Sequence, residues 1–215
     1  MKKIILTVML ITLTLLTTTI SYGSIKKVNI KGKTIILDAG HGGKDKGTSV
    51  GGIYESDINL EIVLKLREKF ILEGANVILI RDGDYDLSSP NTNRRKKSDF
   101  DNRILLINNS NADLYISIHI NYLDNNKYYG AQVFYAKDNK ELAKVIQKEL
   151  KKDLDSPMNE KKLSDSIYMY KKLTIPGVLI ECGFLSNKRE RNLLINDEYQ
   201  TKLVNSIVQG VKNYY

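Results

Sequence analysis

Short apolar runs alternate along this chain with longer stretches of helical period, and that alternation restricts the folds open to it. The runs 27–30, 34–38, 76–81, 114–119, 131–135 and 177–181 are rich in Ile, Val and Tyr and have the length of strands. Helical patterns lie between them. Over 56–72, Ile58, Ile62, Leu66 and Phe70 recur every four residues and mark one buried stripe. Ser56 is placed to cap its start and Gly74 to end it. Residues 102–109 read as part of a second helix and 139–154 as a third. The last, 197–213, turns Leu203, Val204, Ile207, Val208 and Val211 inward. This order predicts a single layered α/β domain, with helices on both faces of a sheet of about six strands. A length of 215 residues suits one domain. The polar spans 83–98 and 156–165 read as loops, the second near the ligand-binding end of the sheet.

Residues 1–23 read as an export signal. Lys2 and Lys3 precede an apolar run from Ile4 to Ile20, and Ser21, Tyr22 and Gly23 supply a cleavage region. The run falls a little short of the roughly 20 apolar residues of a membrane span, so an uncleaved anchor is the alternative. Residues 24–215 then form the working domain, extracytoplasmic in either case. With one cysteine, Cys182, no internal disulfide can form. Cys182 reads as a small buried apolar residue. The net charge of +8 would draw an exported chain towards anionic polymers or a membrane surface. The lysines are nonetheless widely spread, apart from Arg94, Arg95, Lys96 and Lys97. No nucleic-acid recognition motif is present, and export argues against such a partner.

Histidine occurs twice, and each copy sits where a predicted strand hands over to a loop. His41 follows 34–38 and His119 closes 114–119. Ligand sites in α/β sheets gather at the carboxyl ends of strands, so the pair reads as metal ligands or as acid/base groups. A catalytic zinc needs three protein ligands and one open position. With no third histidine, a carboxylate must complete the set. Glu55 is the candidate, on a loop just before the first long helix; the alternative is a surface acid. Glu181 ends the apolar run Val178, Leu179 and Ile180, where a carboxylate is expensive unless paired or functional. It reads as the base that takes a proton from water and returns it to a leaving amine, with a structural salt bridge as the alternative.

Five segments carry a resemblance in fixed order: LDAGHGGKDKG (37–47), YESDINL (54–60), ADLYISIHINY (112–122), GAQVFY (130–135) and VLIECGFLSNKRE (178–190). Arg103 and Asn108, upstream of Ala112, add to it. Together they are similar to the zinc-dependent N-acetylmuramoyl-L-alanine amidases, a family of peptidoglycan hydrolases. The resemblance implies a mixed sheet flanked by helices. It implies Zn2+ held by His41, Glu55 and His119, with Glu181 catalytic. The bond cut would be the amide between the lactyl group of N-acetylmuramic acid and L-alanine of the stem peptide. Asn121 matches a residue that orients a ligand or touches substrate in the family, or is a turn-forming Asn. Residues 123–129 are too short for the inhibitory helix that some members insert.

The short form with an N-terminal signal also resembles the sporulation amidases, which trim peptides from spore-cortex precursors so that muramic-δ-lactam can form. That would place the protein in the forespore intermembrane space. Without an appended wall-binding module, targeting would fall to the anchor or to a protein partner. A partner could also stabilise the metal site, because the Gly-rich approach to His41 and the loop carrying Glu55 read as mobile. The competing readings are another zinc hydrolase of the wall, a peptidase or deacetylase, and a non-catalytic peptidoglycan-binding protein.

Overall fold

Alternation along the strands sorts their side chains onto two unequal faces of one sheet. The computed structural model describes residues 29–164 and 167–215. Its elements in chain order are β1 (Thr34–Ala39), β2 (Ser49–Val50), β3 (Ile53–Tyr54), α1 (Glu55–Leu72), β4 (Asn76–Leu79), α2 (Arg95–Asn109) and β5 (Leu114–Asn121). Then follow β6 (Gln132–Tyr135), α3 (Lys140–Leu154), β7 (Lys161–Lys162), α4 (Tyr168–Lys172), β8 (Gly177–Phe184), α5 (Lys188–Leu194) and α6 (Asp197–Tyr214). The six-stranded sheet runs β4-β1-β5-β8-β6-β7. The first four strands in that order are mutually parallel, and β6 lies antiparallel to β8, so the sheet is mixed.

Ile35, Leu37, Leu114, Ile116, Ile118, Val178 and Ile180 face the larger core, beneath α1, α3 and α6. The intervening positions face the thinner layer, where Ile36 and Tyr115 meet Ile104 and Ile107 of α2 and Met169 of α4. Cys182 belongs to the larger core as expected: it is fully buried, and burial lifts its thiol well above the ordinary value. Towards the carboxyl ends of the strands the thinner face turns polar, with Asp38 and Ser117 paired in register and His119 opposite Glu181.

Several boundaries depart from the sequence reading. Of the expected strand 27–30, Lys27 and Val28 lie outside the described residues. Asn29 and Ile30 are not in a strand, although Ile30 is buried in the core. The sixth strand is β7, inside the span expected to be loop, where two residues pair with β6. Helix α2 begins at Arg95, so the loop from Gly83 ends before Ser98. The inner face of its first turns is polar, with buried Asp99 and Arg103 paired four residues apart, and apolar periodicity does not register there. Ser56 does not cap α1: it lies within the first turn and its hydroxyl donates to Asp57. Gly74 acts as expected, at φ +86 just past the helix end, with its N–H on the Ile71 carbonyl. Among the described residues no helix is long and apolar enough to cross a membrane. The expected leader, 1–23, lies outside them.

Helices α3 and α6 pack closely at Gly210, where an added Cβ would stand 2.5 Å from Ile146 Cα. Alanine in place of glycine favours a helix by about 1 kcal/mol. Overpacking against another helix costs about 1–3 kcal/mol, and here the obstacle is backbone, which cannot step aside. Gly210→Ala is therefore expected to destabilise the fold. A urea midpoint equal to or above that of the parent would contradict this packing.

Candidate metal centre

The site is built at the carboxyl ends of β1, β5 and β8 and at the start of α1. After β1, Gly40 donates its N–H to the Ile118 carbonyl, which keeps the chain alongside β5 for one more residue. His41 then takes a left-handed conformation, φ +62, which turns its ring back over the strand ends. Gly40 is where a side chain has no room: a Cβ there would fall 2.2 Å from His119 Cε1. The two imidazoles meet edge to face, with centroids 5.0 Å apart.

The β2–β3 hairpin delivers Glu55. It closes through Gly51 and Gly52, both at positive φ as a tight two-residue hairpin loop requires. Glu55 follows β3 directly and donates its N–H to the Thr48 carbonyl. Glu55 is thus the first residue of α1 and only 3% exposed, which corrects its expected place on a mobile loop. A carboxylate at a helix N-terminus is also favoured by the helix dipole. Its Oε1 stands 3.2 Å from His41 Nε2 and 3.0 Å from His119 Nδ1, and accepts the Ile120 N–H at 3.1 Å. Its Oε2 accepts from the Thr48 N–H at 2.9 Å and the Thr48 hydroxyl at 3.2 Å.

One nitrogen from each histidine and one oxygen of Glu55 lie within 4.8 Å of one another. The donors of a tetrahedral zinc stand about 3.4 Å apart, and two imidazoles with one carboxylate form a donor set zinc accepts. The residues present therefore fit a zinc ion. Burial opposes ionisation of Glu55, but hydrogen bonds and charge from His119 and His41 outweigh it and hold the carboxyl far below its ordinary value. Burial likewise opposes a proton on His41, yet Glu55 and Asp45 raise its pKa.

Glu181 joins this group from β8, opposite His119 in the parallel register and opposite Gln132 of β6. Its Oε2 is shielded from solvent and has no hydrogen-bond partner. Burial, reinforced by the negative charge of Glu55, lifts its pKa to about 7, with the two histidines pulling the other way. The salt bridge offered as its structural alternative is not formed among the described residues. The loop after α3 lies at this same end, where Gln132 Nε2 donates to the Asn159 carbonyl and the Ser156 hydroxyl to Ala131. Asn121 is the last residue of β5, not a turn residue. Asn108 lies away from the centre and ties the segment before β8, bonding Lys172 and Thr174.

Three residues not singled out from sequence support the cluster. Asp45 Oδ1 lies 3.2 Å from His41 Nδ1, on the far side of the ring from Glu55. Thr48 holds Glu55 as described. Asn59, fully buried, donates to the Gly40 carbonyl at 3.1 Å and reaches Glu55 Oε1 at 3.5 Å. The available signal was spacing: Asp45 is four residues from His41, and Asn59 is one helical turn from Glu55.

A single-domain α/β enzyme, with candidate metal donors gathered at the strand ends of a mixed sheet, is the class this architecture and site define. The chain belongs to the N-acetylmuramoyl-L-alanine amidase family, whose model matches residues 35–213. It is 42% identical over 192 residues to the germination-specific N-acetylmuramoyl-L-alanine amidase of Bacillus subtilis (strain 168), covering 86% of this chain and 81% of that relative. Its structure is similar to that of the CwlD amidase from Clostridioides difficile in complex with the GerS lipoprotein. The TM-score is 0.81 and the identity 48%, over 85% of this chain and 98% of that one. An N-acetylmuramoyl-L-alanine amidase from Clostridium difficile 630 matches with TM-score 0.75 and 33% identity, over 86% of this chain and 97% of that one. The protein is thus a peptidoglycan amidase, in line with the resemblance carried by its sequence blocks.

Gly47 closes the site from the loop side, at φ +67. A Cβ there would fall 2.5 Å from Glu55 Oε2 and 2.8 Å from His41 Cδ2. Gly47→Ala is expected to displace both groups. A misplacement of about 1 Å costs roughly 100-fold in rate. Release of stem peptides from purified peptidoglycan at the parental rate, by folded variant protein, would show that the cluster tolerates the shift.

Proposed function

We propose that the enzyme is a zinc amidase in which His41, Glu55 and His119 hold the metal and Glu181 is the general base and acid. The observation that carries this reading is the meeting of the three donors beside Glu181, whose shielded Oε2 no protein group satisfies. Zinc bound there would supply a Lewis acid for the lactyl carbonyl and lower the pKa of a water molecule towards neutrality. Glu181 accepts the proton of the attacking water on its open oxygen. It then delivers that proton to the alanine nitrogen as the amide C–N bond breaks, leaving the lactyl carboxyl and a free stem peptide. A base whose pKa lies near the working pH can both take and return a proton, and the raised value for Glu181 suits that double task. Thr48, Ile120 and Asn59 fix Glu55, and Asp45 sets the rotation of the His41 ring, so that both keep their donor atoms turned inward.

The biological setting we propose is supported by the relatives and by the expected leader. Residues 1–23 would export or anchor the chain, leaving 24–215 outside the cytoplasm. The germination-specific relative supports a role in the spore cortex, where removal of stem peptides allows muramic lactam to form, and hence a location between the forespore membranes. The C. difficile relative was solved with a lipoprotein, which supports a membrane-tethered protein as activator or targeting partner here.

Glu181→Gln should lower turnover by about 100- to 10,000-fold while the protein still takes up zinc. His119→Ala should lose the metal along with activity. Both are read by metal content of the purified protein and by peptide release from peptidoglycan. Parental turnover in Glu181→Gln would remove the base assignment. A chelator should abolish activity and added zinc restore it; chelator-resistant turnover would remove the metal. Spores of a strain lacking the protein should have a cortex poor in muramic lactam, and a normal lactam content would exclude the cortex role.

A further inference from the structure

Two buried guanidinium groups occupy the carbonyls of three successive residues that end in His41. Arg81, 1% exposed, donates through Nε to the Ala39 carbonyl at 2.8 Å and through Nη2 to the Gly40 carbonyl at 3.2 Å. Arg103, 2% exposed, donates through Nη2 to the His41 carbonyl at 2.6 Å and through Nη1 to Ala39 at 3.1 Å. A left-handed conformation at a residue with a side chain persists only where its surroundings impose it, and these bonds surround His41. The two arginines differ in what else they do. Arg103 is neutralised by Asp38 and Asp99, so its removal would strand two buried carboxylates. Arg81 forms no ion pair among the described residues. Its remaining bonds go to the carbonyl of Gly83, at 2.9 Å, and to that of Ser56, at 2.7 Å. Ser56 directly follows Glu55. One planar group thus spans the loop that carries His41 and the helix start that carries Glu55. Gly42 makes room for it, since a Cβ there would stand 2.9 Å from Arg81 Nε.

We propose that Arg81 is a positioning residue for the metal centre, holding His41 and Glu55 at donor spacing through the carbonyls of the residues beside them, Gly40 and Ser56. It touches neither donor side chain and acts only by fixing the two segments relative to each other. A guanidinium suits this task because its donors lie in a fixed fork, whereas a lysine offers a single mobile ammonium. This inference rests on the metal reading given above.

The test compares the full chain with Arg81→Lys and Arg81→Met. Zinc affinity is measured by competition with a chromophoric chelator, the visible spectrum is taken after cobalt substitution, and thermal melting is followed without metal. Loss of an outer-shell partner typically weakens metal affinity by about 10- to 100-fold. That loss is expected in both variants, smaller in Arg81→Lys, with an altered cobalt spectrum and metal-free melting close to the parent. Amidase activity should recover in large part at saturating zinc. Parental zinc affinity and cobalt spectrum in either folded variant would overturn the proposal. So would failure of both variants to fold, since Arg81 would then serve the fold as a whole. A parent chain that takes up no zinc would instead remove the metal reading, and this inference with it.

Discussion

The carboxylate of Asp38 sits at the end of β1 with almost no access to water, and the arrangement of the site follows from how it is satisfied. Arg103 pairs with it, and the hydroxyls of Tyr115 and Ser117 each reach it at 3.1 Å. Burial would raise its pKa, but the charge of Arg103 prevails and holds it below the ordinary value. Stranding one partner of a buried ion pair costs about 3–5 kcal/mol, so the pair locks α2 against β1 and β5. That contact fixes which strand ends stand together. It also brings the Arg103 fork close enough to hold the His41 carbonyl. The strand face that carries Asp38 and Ser117 is the one that carries His119 and Glu181 two residues further on. A polar layer buried for stability therefore runs directly into a polar layer placed for chemistry.

Within the cluster, electrostatics separates two glutamates of the same residue type. Glu55 lies between two imidazoles and accepts hydrogen bonds on both oxygens, and it is held ionised. Glu181 faces the same imidazoles from the next strand but receives no bond on Oε2, and burial prevails there. The first environment makes a permanent anion and the second a carboxyl that exchanges protons near neutrality. No distant part of the protein is needed to account for the difference.

The donors were legible in the sequence because two scarce histidines fell at strand ends and the blocks around them came in a recognisable order. The central strands were legible for a related reason: β1, β5 and β8 are buried on both faces and read as near-continuous apolar runs. What escaped was polar or short. Strand β7 is two lysines at a sheet edge, with no apolar pattern to announce it. The start of α2 buries Asp99 and Arg103, so its inward face looks like a solvated one. Ile30 packs as a core residue without joining a strand, which an apolar run cannot distinguish. Glu55 reads as a loop residue in the sequence because Ser56 resembles a helix cap. The cap position is Tyr54, two residues earlier, which makes Glu55 the first helical residue, buried and supported by the dipole.

The two ends of the sheet differ in how they meet the surroundings. At one edge β4 leaves Ile78 exposed. At the other, β7 is very short and turns both of its lysines outward. Short charged edge strands discourage the strand-to-strand association that leads to aggregates. Of the two sheet edges, the one nearer Glu181 is thus the one guarded against pairing with another strand.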